Sequence, residues 1–267
     1  MRALIAAFEG WNDAADAATN AIEHLESQWT VRPVAALDPD DYYDFQVNRP
    51  TVRLVDGVTR AIEWPTSRLG IAESGGQEVV LLRGLEPNMR WRSFCNELVD
   101  LSHSLDIDQV VCLAALLADV PHTRPIDIAG SAADDELAAA LGLSRSRYEG
   151  PTGVVSVFHD AVAKAGMRPV TLWASVPHYV GQPPCPKATL ALLNRVEEAL
   201  DLVIPLGDLP EEAKAWERGV DELAREDTEI ADYVASLEQR EDAASLPEAS
   251  GEAIARAFER YLRRRDT

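Results

Sequence analysis

Two rhythms alternate along the chain: short apolar runs suited to buried strands, and three-to-four spacings suited to helices. Residues 2–8 predict a buried strand and Glu9-Gly10-Trp11-Asn12 a turn. Asn12 or Asp13 is a suitable N-cap for a helix with Ala14, Ala18, Ile22 and Leu25 on one face. The unit recurs. Residues 31–37 predict a strand that ends in the polar and aromatic loop 38–45. The Asp56-Gly57 pair between two apolar runs predicts a hairpin over 52–64. Residues 65–77, with Pro65, Gly70, Gly75 and Gly76, read as a loop. Residues 78–82 read as a strand before a helix carrying Phe94, Leu98 and Leu101. The almost wholly apolar 110–117 has the pattern of a central parallel strand covered on both faces. A short strand at 126–129, short helix at 133–141, helix from Val154, strand at 170–176 and helix from Pro186 complete the series.

This order predicts an α/β fold, a mostly parallel sheet flanked by helices, over residues 1–205. Residues 206–267 predict a C-terminal helical extension. Ala213, Trp216, Val220, Leu223, Ile230, Val234 and Leu237 form an apolar stripe in which Asp227 falls where an apolar residue is due. The stripe is one long helix or two helices broken at Asp227-Thr228. Residues 241–250 read as a polar linker before a last amphipathic helix with Ile254, Phe258 and Leu262.

In parallel sheets the loops after the strands' carboxyl ends share one edge, where ligands usually bind. Here those loops carry Glu9, Trp11, Asn12 and Asp13 after the first strand, Arg49 and Glu86 further on, then His122, Arg124, Thr152 and His178. They define a candidate ligand-binding crevice; the alternative is that they are caps and turn residues that lock the loops. Gly150-Pro151-Thr152-Gly153 at a helix start could hold an anion on backbone N–H groups, with Arg124 or Arg49 as counter-charge; the alternative is a rigid turn capped by Thr152. His122, His178 and Glu86 lack metal-site spacing. No phosphate-loop, dinucleotide or nucleophile-elbow pattern occurs, so no metal, cofactor or catalytic residue is assigned. Trp216, Val220 and Leu223 define a candidate partner seam, or else the face by which the extension docks on its own core.

Composition narrows the function classes. With 46% apolar residues in 267, the chain can bury a sizeable core. Its net charge of −20 repels phosphate backbones and anionic membranes, which argues against nucleic acid and membrane as partners. Cys95, Cys112 and Cys185 are odd in number and lack metal spacing, as expected of reduced thiols in a cytoplasm. The apolar run behind Met1 is too short for a signal peptide.

Several stretches together resemble one family. They are Glu9-Gly10-Trp11-Asn12-Asp13, Tyr42-Tyr43-Asp44-Phe45 with Arg49-Pro50, and Gly84-Leu85-Glu86-Pro87-Asn88 with Trp91 and Phe94. Pro121-His122-Thr123-Arg124-Pro125, Tyr148-Glu149-Gly150-Pro151-Thr152-Gly153, Trp173, Pro177-His178-Tyr179-Val180 and Tyr233-Val234 with Leu237-Glu238 continue the series. Over nearly its whole length the chain resembles the proteasome assembly chaperone 2 family, in its actinobacterial branch. The resemblance implies a domain similar to purine nucleoside phosphorylase, assembled as a homo-oligomer such as a trimer. It also implies a non-enzymatic binding or assembly role with proteasome α-subunits as partners. The alternative is an enzyme or binder for a small nucleoside-like or phosphorylated ligand in the crevice. Archaeal relatives dock through a penultimate tyrosine, whereas this chain ends Arg263-Arg264-Arg265-Asp266-Thr267. Docking by tail insertion is not expected.

Overall fold

Alternation inside an unbroken apolar run makes β1 (Arg2–Glu9) the centre of the fold. Ala3, Ile5 and Ala7 enter the core on one face of the sheet, and Leu4, Ala6 and Phe8 the core on the other. The computed structural model describes residues 2–133, 135–143 and 148–245. The predicted last helix and the basic chain end lie outside the described residues.

Among the described residues seven strands form the main sheet: β1, β2 (Val31–Ala36), β5 (Arg68–Ser74), β6 (Gln77–Leu85), β7 (Ile107–Ala118), β8 (Ile128–Ala132) and β9 (Arg168–Pro177). Their order is β2-β5-β6-β1-β7-β9-β8. The central strands β6, β1, β7 and β9 run parallel, while β5 and β8 are reversed. The expected mixed α/β fold with a mostly parallel sheet is therefore present. One face is covered by α1 (Ala17–Gln28) and α6 (Pro186–Leu200). The other is covered by α3 (Trp91–Ser104) and α5 (Val154–Lys164), where Phe94 and Phe158 pack edge-on against Phe8 at 5.8 and 6.2 Å. The short helices α2 (Pro39–Tyr42) and α4 (Asp135–Ala140) follow β2 and β8.

Three elements differ from the sequence pattern, the first being α2, which forms inside the expected loop 38–45. Residues 65–77 are not all loop, because 68–74 form β5. Its turn into β6 passes through Gly75 and Gly76 at φ 58° and 81°, the left-handed pair that a tight hairpin requires. Gly70 interrupts the apolar run because a Cβ there would lie 2.4 Å from Val31 Cγ1 on the neighbouring strand. The expected linker over 241–250 begins later, because the last described helix runs to Ser245.

Among the described residues after 205 there are two helices, α7 (Leu209–Glu226) and α8 (Thr228–Ser245). The break falls at Asp227, whose Oδ1 accepts hydrogen bonds from the backbone N–H of Glu229 and Ile230 at 2.9 and 3.3 Å. The same carboxylate that interrupts the apolar stripe thus starts the second helix. Among the described residues a separate two-stranded ribbon, β3 (Thr51–Val55) and β4 (Thr59–Glu63), pairs with itself alone.

Candidate functional site

The parallel strands β1, β6, β7 and β9 bring their following loops to one sheet edge, as expected. Trp11, Glu86, His122 and His178 follow these four strands in turn. Their side chains form two separate groups.

The first group joins β1, β6 and α5. Asn12 is buried, and its Nδ2 donates to Glu86 Oε1 at 3.1 Å. The same oxygen accepts the Val154 N–H at 2.8 Å. The carboxylate at the start of α5 is thus the chain's own Glu86, and Thr152 does not cap that helix. The expected cap by Thr152 is thereby corrected. Arg124 lies elsewhere, and Arg49 sits exposed on the loop before β3. Gly153 leaves room for the junction, since a Cβ there would lie 2.0 Å from Asn12 Nδ2. Glu9 is exposed at the end of β1, and its carbonyl accepts the Glu86 N–H at 2.9 Å.

Asp13 turns away from the crevice. It reaches past a 3₁₀ turn, Ala14–Asp16, to cap α1, accepting from Ala18 N at 2.7 Å and from Thr19 N and Oγ1. Burial pushes its carboxyl up to about 6 from an ordinary 3.8, against the hydrogen bonds from Thr19 and Ala18. In the unfolded chain the group titrates near its ordinary value. Between these values the folded chain holds a proton that the unfolded chain has lost. The stabilisation is full below the unfolded value and is lost as pH rises through about 6. Urea unfolding between pH 4 and 7 should show a loss on the order of 2–3 kcal/mol from this group. The difference between the parent and Asp13→Asn curves isolates it; parallel curves would refute the assignment.

The second group clamps the C-terminal helices. His122 is buried, and its Nε2 meets Asp221 Oδ1 of α7 at 3.1 Å. Its Nδ1 lies 2.8 Å from the Tyr179 hydroxyl, which also accepts the His122 backbone N–H at 2.7 Å. The carboxylate requires the proton on Nε2, so Nδ1 accepts from Tyr179. Burial pushes the Tyr179 hydroxyl up to about 12. Lys187 donates to the His122 carbonyl and pairs with Glu217. Arg124 is held by Asp242 at 2.9 Å and by Glu238, both on α8. His178 pairs with Asp119 at 3.2 Å and packs edge-on against Tyr233. These residues therefore dock α7 and α8 and do not line the crevice. The same docking buries Val220 and packs Trp216 against the core, so of the predicted seam only Leu223, 55% exposed, faces outward.

Beside the first group opens a cavity of about 900 Å³. Its walls are Trp11, Leu116, Leu117, Ile128, Leu143 and Trp173, with Asn12 and Thr152 at the α5 side. Trp11 and Leu117 are 68% and 53% exposed. Sequence reasoning missed Leu116 and Leu117, which read as one more buried stretch of β7. The signal was that β7 outruns β1, whose pairing with it stops at Cys112. All three cysteines are buried. Among the described residues no cluster of His, Cys, Asp and Glu could hold a metal ion, and no helix is long and apolar enough to cross a membrane.

An α/β scaffold that ties its strand-end loops together through Asn12 and Glu86, leaves the Asn12 Oδ1 buried without a hydrogen-bond partner among the described residues, and offers solvent an apolar cavity has the features of a binding protein. The model of the PAC2 family matches residues 7–224, and the chain belongs to that family. It is 55% identical to a PAC2 family protein from Streptomyces avermitilis, over 88% of this chain and 100% of that one, with a TM-score of 0.83. It is 53% identical to a proteasome-assembly chaperone homologue from Mycobacterium tuberculosis, over 87% and 99% of the two chains, with a TM-score of 0.80. An archaeal proteasome activator from Pyrococcus furiosus shares the fold at 14% identity and a TM-score of 0.65, over 83% and 92%. No curated protein matches the chain.

Proposed function

We propose that the protein is a non-enzymatic, self-associating binding protein of the proteasome-assembly type, a ring-like trimer that contacts proteasome α-subunits through its folded surface. The observation that carries this reading is the apolar surface left open on a strongly acidic chain, at the strand-end cavity and on the β3–β4 ribbon. Kinship with a proteasome-assembly chaperone homologue supports it. The partner face includes the outer side of α7 at Leu223.

A pull-down of proteasome α-subunits tests the reading. Chains lacking residues 263–267 should bind as the parent does, and Leu223→Asp should bind several-fold more weakly. Loss on tail removal alone would overturn the surface mode, as would full binding by Leu223→Asp for its placement on α7. Failure of the parent to bind would overturn the assembly role and favour the small-ligand alternative.

A further inference from the structure

We propose that the β3–β4 ribbon of one copy seats in the strand-end cavity of the next, along the open edge of β8, so that the copies join head to tail. The inference rests on the self-association reading above and adds which two surfaces meet.

The ribbon has a face without a partner. Opposed residues of an antiparallel pair share a side, so Val52 with Ile62, and Leu54 with Arg60, lie on one face. Val52, Leu54 and Ile62 are 49, 62 and 57% exposed, and Trp64 extends the same face to the base, against Phe45. The opposite face is mixed, with Val55 beside Thr51 and Thr59 and the Arg53–Glu63 ion pair. An isolated two-stranded hairpin is marginal in water, and an amphipathic one needs a surface to cover its apolar side.

The cavity is the complementary feature. Its walls are apolar, and residues Ile128 to Ser131 of β8 line one side. β8 is the last strand of the sheet, so its outer backbone row has no neighbouring strand among the described residues. Such an edge accepts an added strand, and both strands of the ribbon also have open edges.

Charge favours a second copy as the occupant. Two molecules of net charge −20 repel each other over most of their surfaces. The ribbon is locally neutral, with Arg53 and Arg60 against Asp56 and Glu63. Arg60 shares the apolar face, and Asp127 is the charged group among the described lining residues.

Geometry permits a ring. The ribbon leaves the chain between α2 and β5, beside β2 at one end of the strand order. The cavity lies over β7, β9 and β8 at the other. A contact between two different surfaces of like copies closes into a ring when its rotation permits.

The test uses two full-length variants that each add one exposed cysteine, Val58→Cys at the ribbon tip and Leu117→Cys at the cavity wall. Both positions are exposed, whereas the three native thiols are buried and held at about 11 to 12. A short bis-maleimide should link the mixed variants several-fold more efficiently than either alone. Ile62→Asp should raise the assembly midpoint in light scattering by at least about tenfold, with unchanged circular dichroism. A parent that is monomeric at high micromolar concentration would overturn both this inference and the self-association reading. An assembled parent whose Val58→Cys chains link mainly to each other, or whose Ile62→Asp variant stays assembled, would overturn this inference alone.

Discussion

Gly153→Ala should lower the unfolding midpoint by roughly 5–10 °C, an unusual loss for the addition of one methyl group. The backbone at 153 is extended, at φ −96° and ψ −178°, so conformation does not demand glycine there. Contact does. The new Cβ would lie 2.0 Å from Asn12 Nδ2, 2.5 Å from its Oδ1 and 2.6 Å from its Cγ. Asn12 has little freedom to retreat. It is 2% exposed, and its carbonyl accepts the Ala115 N–H at 2.8 Å, which ties the turn to β7. Displacing its side chain breaks the hydrogen bond to Glu86 and disturbs the carboxylate that caps α5. Overpacking and a disturbed buried hydrogen bond together cost on the order of 2–4 kcal/mol. Gly219→Ala is the control. Nothing lies within 4 Å of a Cβ there, and the site is inside α7. The same chemical change should stabilise by up to about 1 kcal/mol, because alanine is the better helix former. Thermal and urea unfolding of both variants read the result. Equal midpoints would mean that Asn12 has room to move and that the junction is looser than described.

Much of this was legible in the chain, for a physical reason. A strand covered on both faces must be apolar at every position, so β1, β7 and β9 announce themselves, and with them the edge where the loops gather. Ribbon β3–β4 is legible from Asp56-Gly57, whose residues both take positive φ. β5 was hidden because Gly70 and the twin glycines of its turn look like loop chemistry. Here they answer to Val31 across the sheet and to the turn itself. What local pattern could not give was the partner of each polar group. Glu86 caps a helix 68 residues further on, His122 meets a carboxylate 99 residues away, and Arg124 meets one 118 away. Long-range pairings of this kind leave no periodicity. The sequence therefore places all these side chains at one edge but cannot divide them between junction and clamp.

The clamp gives the second large effect. His122→Ala should destabilise by about 2–4 kcal/mol and loosen α7 and α8 before the sheet. The ring fills a site that is 1% exposed and joins three elements: its own loop after β7, Tyr179 after β9 and Asp221 on α7. Removing it leaves the Tyr179 hydroxyl without the acceptor on Nδ1 and Asp221 without its donor, and it opens a void beneath them. Tyr179→Phe keeps an aromatic ring in place but deletes the hydroxyl that bonds both the ring and the backbone of residue 122. Its cost should be smaller, about 1–2 kcal/mol. Hydrogen exchange separates local from global loss. In His122→Ala the amides of α8 should exchange at least about tenfold faster, while those of β1 and β7 follow only the change in global stability. Thr123 and Arg124, adjacent in the same loop, hold Glu238 and Asp242, so a loosened loop releases α8 as well as α7. If α8 stayed protected as in the parent, Arg124, Val234 and Leu237 would suffice to dock it, and His122 would be a core residue without a clamping role.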